Sequence, residues 1–155
     1  MKIVIASDHA GFDLKQQVAD ALRAHGHEVE DFGTDSKESV DYPDFAEPAA
    51  REVAVGAADR AVLVCGSGVG VAIVANKVDG VRAVNAHDPE EAELSRLHND
   101  ANVLTLSGRR LTAEQAETII LRFLNTEFEG GRHARRVKKI AEVEAHNPDH
   151  SEQAG

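Results

Sequence analysis

A short segment near the middle of the chain, residues 61–71, constrains the fold more than any other. It begins with four apolar residues, two of them β-branched, a pattern typical of a buried strand in a parallel sheet. Cys65 ends this strand, and three glycines then alternate with Ser67 and Val69. Because residues 69–77 have helical character, residues 65–70, here called the glycine loop, are predicted to join a strand to a helix.

The composition of the glycine loop predicts an anion-binding site. Glycine has no Cβ, so several backbone N–H groups can point at one spot, and the start of the following helix adds partial positive charge. The same field favours the thiolate form of Cys65. An anion site beside an activatable base suits proton abstraction next to the carbonyl group of a phosphorylated substrate. The alternative is a tight turn with an inert, packed cysteine.

Length and charge limit the classes of protein to which the chain can belong. Its 155 residues predict one domain over residues 1–146, followed by a polar tail, 147–155, that is expected to be disordered. The single cysteine excludes an internal disulfide and suits the reducing cytoplasm. No apolar run is long enough to span a membrane, and a net charge of −10 argues against binding to nucleic acid or to anionic membrane surfaces.

Strand and helix patterns alternate along the chain. Strands are predicted at 2–6, 28–32, 61–64, 81–86 and 102–106, with the second nearer an edge because it is more polar. Helices are predicted at 13–25, from after Pro43 to about residue 56, at 69–77, from Asp88 onward, from Thr112 to Asn125, and at 132–146. A capping box begins the helix at Thr112. Pro48 either delays the start of the second helix or bends it. This alternation predicts an α/β fold, a three-layer, doubly wound, five-stranded parallel sheet of Rossmann-like type.

Ligands of such sheets bind beyond the carboxyl ends of the strands, where several polar residues of this chain are expected. Asp8 and His9 follow the first strand, the glycine loop follows the third, and Asn85 ends the fourth. The alternative for Asp8 is a cap on the turn that follows it. Histidines at ligand spacing with a third ligand nearby are missing from the sequence, so no metal is predicted, and Ser67 lacks the pattern of a serine hydrolase.

Two further features point to a proton donor and to a phosphate-binding site. His98 lies near the end of the fourth helix, where the negative dipole favours a protonated proton donor, although simple dipole compensation is the alternative. Arg132 and Arg136 lie one helical turn apart in a basic cluster of an otherwise acidic chain. Cations at a helix start oppose the helix dipole, so this cluster is interpreted as a receptor for a phosphate dianion, with mere solubilisation as the alternative.

Several ordered motifs between Lys2 and about residue 144 resemble those of the B-type ribose-5-phosphate isomerases, a family that includes the galactose-6-phosphate isomerase subunits. They are Ser7-Asp8-His9-Ala10-Gly11-Phe12, Asp41-Tyr42-Pro43, Cys65-Gly66-Ser67-Gly68-Val69-Gly70, Ala75-Asn76-Lys77, residues 95–104 and Gly130-Gly131-Arg132-His133. The resemblance implies cofactor-free interconversion of ribose 5-phosphate and ribulose 5-phosphate through a cis-enediolate.

The resemblance also assigns roles. It implies Cys65 as general base, Ser67 and the N–H groups of Gly66, Gly68, Val69 and Gly70 around the enediolate oxygens, and His98 as the residue that opens the furanose ring. Asp8 and His9 would contact the ring and hydroxyl side, and Asn99, Arg109, Arg132 and Arg136 match the remaining substrate and phosphate positions. It further implies a homodimer, or a dimer of dimers, with the C-terminal helix reaching the partner. His98, Asn99 and Arg109 lie at the end of the fourth helix and beyond the fifth strand, which predicts that they are away from the glycine loop of their own chain. Since the family's dimer brings such pieces together, Cys65 is expected to work with His98, Asn99 and Arg109 of the partner subunit.

Some positions depart from the family pattern and leave the substrate open. Val71 stands where some members carry a catalytic Glu, which places this chain with the cysteine users. Asn85 and the pair Pro89-Glu90 differ from common residues near the expected sugar pocket, so a tetrose or hexose phosphate is an alternative substrate. In a different class, the same sheet could serve as a non-catalytic phosphate- or nucleotide-binding module.

Overall fold

The computed structural model describes residues 1–148 and contains one parallel sheet of five strands within that range. The strands are β1 (Lys2–Ser7), β2 (Glu28–Asp31), β3 (Arg60–Cys65), β4 (Ala83–Asn85) and β5 (Val103–Ser107), in the spatial order β2-β1-β3-β5-β4. All four neighbouring pairs are parallel. The predicted fold class is therefore confirmed, and β2 is an edge strand as its polar sequence indicated.

Within residues 1–148, four α-helices connect successive strands and two more follow the last strand. They are α1 (Phe12–Ala24), α2 (Pro43–Ala54), α3 (Val69–Asn76), α4 (Pro89–Asn99), α5 (Ala113–Asn125) and α6 (Arg132–Ala145). Among residues 1–148, none of the helices is both long and apolar enough to cross a membrane. Of the predicted polar tail, residues 149–155 lie outside the described part of the chain.

Caps and side-chain hydrogen bonds decide where several elements begin and end. The predicted capping box of α5 is present, with Thr112 and Gln115 as its two members. Helix α2 begins at Pro43 and contains Pro48, so a late start after Pro48 is excluded. Strand β4 is shorter than predicted because the N–H group of Arg82 donates to the Asn102 side chain, 2.8 Å away, instead of to a neighbouring strand.

The side chains of the central strands alternate between two hydrophobic clusters, one on each face of the sheet. In β3, Val62 and Val64 pack in the cluster with α1 and α5, whereas Leu63 and Cys65 pack in the cluster with α2 and α3. Burial of one such Val or Leu contributes about 1.5–3 kcal/mol. Cys65 therefore stands on a strand that is buried on both faces, which holds its position relative to β1 and β5.

Candidate active site

The carboxyl ends of three central strands bring polar groups together at one edge of the sheet. Cys65 ends β3 and lies opposite Ser107, the last residue of β5, while Ser7 of β1 pairs with Val64. Asp8 follows β1 directly, and the glycine loop follows β3. The sequence-predicted cluster of Asp8, His9 and the glycine loop is thus assembled within one chain, at the edge where parallel α/β sheets bind ligands.

The side chains of Cys65 and Ser67 each accept a hydrogen bond from a backbone N–H group of the glycine loop. The Cys65 side chain is 4% exposed, and its Sγ accepts a hydrogen bond from the N–H group of Gly68 at 3.2 Å. Such a donor stabilises negative charge on the sulfur. The Ser67 hydroxyl accepts from the N–H group of Val69 at 3.1 Å, which leaves its own proton available for a substrate oxygen. A buried thiol and a hydroxyl group with a free proton therefore occupy the same loop.

The glycines of the loop are required by close contacts and by backbone conformation. Gly68 caps α3 with φ = +78°, and a Cβ at this position would lie 2.4 Å from Oδ1 of Asn85. A Cβ at Gly70 would lie 2.6 Å from Cζ of Tyr42, whose ring rests on this part of the loop. Tyr42 belongs to a motif noted in the sequence, but the spacing alone gave no reason to place it beside the loop.

We expect Gly68→Ala to destabilise the fold and to remove catalytic activity. The left-handed conformation costs an alanine about 1–2 kcal/mol, and the contact with Asn85 adds to that cost by shifting the loop. Gly26→Ala is the matched control, because Gly26 has φ = +87° but nothing lies within 4 Å of its Cβ position. Urea unfolding and turnover should show a modest loss of stability for Gly26→Ala and a larger loss, with inactivity, for Gly68→Ala. Equal behaviour of the two variants would contradict this account.

Asp8 and His9 are held by backbone donors. Oδ1 of Asp8 accepts from the N–H group of Gly11 at 3.1 Å, so the capping role considered as an alternative is real. Nδ1 of His9 accepts from the N–H group of Val40 at 3.1 Å, and the ring proton of neutral His9 is therefore on Nε2. This bond also ties the segment before α2 to the site edge, so His9 presents one orientation of its ring.

Arg109 lies against the glycine loop of its own chain. Its N–H group donates to the carbonyl of Gly66 at 3.2 Å, and a Cβ at Gly66 would lie 3.1 Å from the guanidinium carbon. The prediction that Arg109 lies away from the loop, together with His98, is wrong. The reason is that β5 ends beside Cys65, so the residues that follow Ser107 continue directly over the loop.

His98 and Asn99 lie at the opposite edge of the sheet from Cys65. They end α4, which runs antiparallel to the strands, and the carbonyl of Asn99 accepts from Nε of Arg82, just before the start of β4. Strands β3 and β5 have six and five residues, so the two edges are separated by roughly 17–20 Å at about 3.3 Å per residue. One chain therefore does not bring His98 to its own Cys65.

His98 forms a compact group with two residues near the start of α6. Its ring stacks on that of His133 with centroids 4.4 Å apart and planes 18° apart, and Glu129 Oε2 lies 4.0 Å from Nε2 of each ring. Burial, together with the positive charges of His98 and Arg132, holds the pKa of His133 below its usual range. Its buried Nε2 finds no hydrogen-bond partner among residues 1–148.

The same group offers three metal-ligand atoms within 4.8 Å of one another, from His98, Glu129 and His133. The two rings are stacked face to face, with centroids 4.4 Å apart, rather than arranged on separate sides of an ion. The 4.0 Å separations also exceed the roughly 3.3 Å between ligands of a tetrahedral zinc ion with bonds near 2.0 Å. The geometry therefore fits a stacked pair of imidazoles better than it fits a metal centre.

The predicted phosphate receptor lies beside this histidine pair. Helix α6 begins at Arg132, and both Arg132 and Arg136 are exposed on its first turns. Stacking of His133 on His98 places this helix start at the same edge of the sheet as Asn99. The basic residues therefore belong with His98, whereas Asp8, His9, Arg109 and the glycine loop belong with Cys65.

Two hydroxyl groups beneath the glycine loop were not predicted from the sequence. Oγ of Ser107 donates to the carbonyl of Gly66 at 2.6 Å, and Oγ1 of Thr105 donates to the carbonyl of Gly68 at 2.7 Å. Both side chains are fully buried. The available signal was their spacing, because two hydroxyl residues two positions apart in an apolar strand share one face of the sheet.

Comparisons with known proteins agree with this architecture. The family model described as Ribose/Galactose Isomerase matches residues 3–140. The chain is 46% identical over 143 residues to ribose-5-phosphate isomerase B of Escherichia coli, covering 92% of this chain and 96% of that protein. It is 41% identical over 145 residues to D-erythrulose-4-phosphate isomerase of Pectobacterium atrosepticum, covering 93% and 95%. The crystal structure of a ribose 5-phosphate isomerase from Thermotoga maritima superposes with a TM-score of 0.90 at 51% identity, covering 92% and 98%.

Proposed function

Because the chain belongs to the ribose/galactose isomerase family, we propose that it interconverts D-ribose 5-phosphate and D-ribulose 5-phosphate, with Cys65 as the general base. The observation that carries this proposal is the buried Cys65 thiol, held at 3.2 Å by an N–H donor of a glycine loop at the ligand-binding edge of the sheet. The identities of 46% and 51% to ribose-5-phosphate isomerases, each over nine-tenths of the chain, support it.

The proposed reaction moves one proton between neighbouring carbons. The Cys65 thiolate removes the proton from C2 of the open-chain aldose, and the C–H electron pair forms the C1–C2 double bond of a cis-enediolate. The same thiol then returns the proton to C1, while the hydroxyl proton of O2 passes to O1, so that C2 becomes the carbonyl carbon. The Ser67 hydroxyl and the loop N–H groups stabilise the negative oxygen as it forms.

A complete site requires a second copy of the chain. Cys65 and His98 lie at opposite edges of one sheet, so we propose that Cys65 works with His98 and Asn99 of the partner subunit. Exposed apolar side chains support such a dimer: Val69 and Ile73 form one face of α3 beside the glycine loop, and Ile140 and Val143 form one face of α6. Packing α6 of one chain near α3 of the other would bury both faces.

In this dimer the Cys65 edge of one subunit and the His98 edge of its partner would have different roles. Asp8 and His9 would contact the ring and hydroxyl groups of the sugar bound at the Cys65 edge. From the partner subunit's edge, the His98–His133 pair would open the furanose ring by proton transfer, with Asn99 contacting the substrate. Arg132 and Arg136 would bind the phosphate group, for which guanidinium groups are suited.

We expect Arg132→Ala and Arg136→Ala each to raise KM for the sugar phosphate by about tenfold or more, because charge-assisted hydrogen bonds to phosphate are lost. Lys138→Ala is the matched control. At 100° per residue, Lys138 lies on a different face of α6 from both arginines. Steady-state kinetics and inorganic phosphate inhibition should show the loss for the arginine variants alone. An equal effect of Lys138→Ala would mean that the cluster acts only through its net charge.

Appearance of ribulose 5-phosphate from ribose 5-phosphate, without added metal or nucleotide, tests the proposed function directly. A second candidate substrate is a tetrose phosphate, which is favoured by the 41% identity to a D-erythrulose-4-phosphate isomerase. Comparing kcat/KM for four-, five- and six-carbon aldose and ketose phosphates distinguishes these substrates. Binding of sugar phosphates without turnover of any would favour a non-catalytic module instead.

A further inference from the structure

We propose that Thr105, Ser107 and Asn85 position the glycine loop for catalysis by fixing the orientation of its peptide groups. This inference rests on the proposed function and extends it to residues whose side chains bind the carbonyl groups of the loop rather than the Cys65 thiol. In this role the three side chains act through the loop backbone, so they are positioning residues rather than catalytic ones.

Every carbonyl group from Cys65 to Gly68 is held by a donor from β5, from the residues after it, or from the end of β4. Two of the contacts come from the backbone: the N–H group of Gly108 donates to Cys65 O at 2.8 Å, and that of Arg109 donates to Gly66 O at 3.2 Å. These contacts continue the pairing of β3 with β5 past the end of the strands. They fix the start of the loop but not its second half.

Side chains hold the rest of the loop. The Ser107 hydroxyl donates to Gly66 O at 2.6 Å, and the Thr105 hydroxyl donates to Gly68 O at 2.7 Å. Between them, Nδ2 of Asn85 donates to Ser67 O at 3.3 Å. Three successive peptide carbonyls are thus each bound by a different side chain.

The planarity of the peptide group converts these contacts into control of the N–H groups. In a trans peptide, the carbonyl of one residue and the N–H of the next point in opposite directions. Binding of Ser67 O by Asn85 therefore turns the N–H of Gly68 the other way, where it donates to Cys65 Sγ at 3.2 Å. The two bonds belong to one peptide group and report one orientation.

The next peptide repeats this arrangement. Binding of Gly68 O by Thr105 turns the N–H of Val69 away from β5, where it donates to the Ser67 hydroxyl at 3.1 Å. By the same geometry, the bond from Ser107 to Gly66 O turns the N–H of Ser67 away from β5. The peptide group that Asn85 binds is consequently the one that donates to Cys65 Sγ. The peptide group that Thr105 binds is the one that donates to the Ser67 hydroxyl.

Burial indicates that the hydroxyl groups are present for these bonds rather than for packing. Thr105 and Ser107 are 0% and 1% exposed. A valine has nearly the volume of a threonine, so packing alone would favour an apolar side chain in this strand. Asn85 packs directly on Gly68, because a Cβ at Gly68 would lie 2.4 Å from its Oδ1, so its position is also set by the loop.

The test compares Thr105→Val and Ser107→Ala with the hydroxyl-retaining variant Thr105→Ser. We expect the first two to lower kcat by about tenfold to a hundredfold, as small displacements of oxyanion donors do. They should weaken binding of a phosphorylated hydroxamate, a planar analogue of the enediolate, by a similar factor. Inorganic phosphate binding should stay within twofold, and Thr105→Ser should recover most of kcat.

Ser95→Ala is the matched control. The Ser95 hydroxyl is also buried and also donates to a backbone carbonyl, that of Ala92 in α4, at 2.7 Å. We expect this variant to lose thermal stability like the others but to keep kcat and hydroxamate affinity. If Ser107→Ala does not fold, Asn85→Leu at the rim of the loop provides the same comparison, since it removes the bond to Ser67 O.

An NMR measurement tests the positioning without turnover. The amide ¹H–¹⁵N signals of Gly68 and Val69 should shift in Thr105→Val and Asn85→Leu but not in Ser95→Ala. Unchanged amide signals, kcat and hydroxamate affinity would overturn the inference, and so would a parallel loss of phosphate binding, which indicates general disruption. Failure of the proposed function is recognised separately, because the unmodified protein would then turn over none of the sugar phosphates.

Discussion

Cys65→Ala is expected to lower kcat by about a thousandfold while changing KM for the sugar phosphate by no more than a few-fold. A general base contributes roughly 10²–10⁴ in rate, and its loss affects the barrier rather than ground-state binding. The side chain is almost completely buried, and alanine fits the same space, so the fold should persist. Steady-state kinetics and inorganic phosphate binding measure the two expectations separately.

Chemical modification provides an independent check, because Cys65 is the only cysteine in the chain. Iodoacetamide should inactivate the enzyme with a single added carbamidomethyl group, and saturating ribose 5-phosphate should slow both events equally. Alkylation of Cys65 with retention of activity, or a fully active Cys65→Ala, would show that another residue moves the proton.

The sequence predicted the Cys65 edge of the site well because its elements are consecutive in the chain. The apolar run before Cys65, the glycines after it, and the helix that follows all lie within about 15 residues, so local patterns define their geometry. Asp8 and His9 could be added because parallel strands place their carboxyl ends together. The buried β5 hydroxyls went unnoticed because hydrogen bonds to loop carbonyls depend on strand pairing, which single-strand patterns do not specify.

Arg109 illustrates where reasoning from chain order fails. It follows His98 in the sequence, and both were expected at the same place in the site. The intervening strand β5 carries the chain from one edge of the sheet to the other, so His98 and Arg109 end at opposite edges. Whether two residues meet is thus decided by how many times the chain crosses the sheet between them.

This separation of the two edges leads to the prediction with the clearest outcome, a rescue of activity in mixed dimers. A Cys65→Ala homodimer and a His98→Ala homodimer should each have severely reduced activity at both sites. When the two proteins are unfolded and refolded together, each mixed dimer should contain one site with both lesions and one intact site. Random pairing of equal amounts should then restore about a quarter of the wild-type activity, because half of the dimers are mixed and half of their sites are intact.

The position of Arg109 supplies a matched control for this experiment. Arg109 lies on the glycine loop of its own chain, so Cys65→Ala and Arg109→Ala affect the same half of a site. In their mixed dimers one site lacks the base and the other lacks the guanidinium group, and no intact site forms. We therefore expect rescue with His98→Ala and none with Arg109→Ala, with mass spectrometry confirming subunit exchange in both mixtures. If each site were built within one subunit, neither mixture would recover activity. Rescue by Arg109→Ala would instead mean that Arg109 reaches across the dimer and acts in the partner's site.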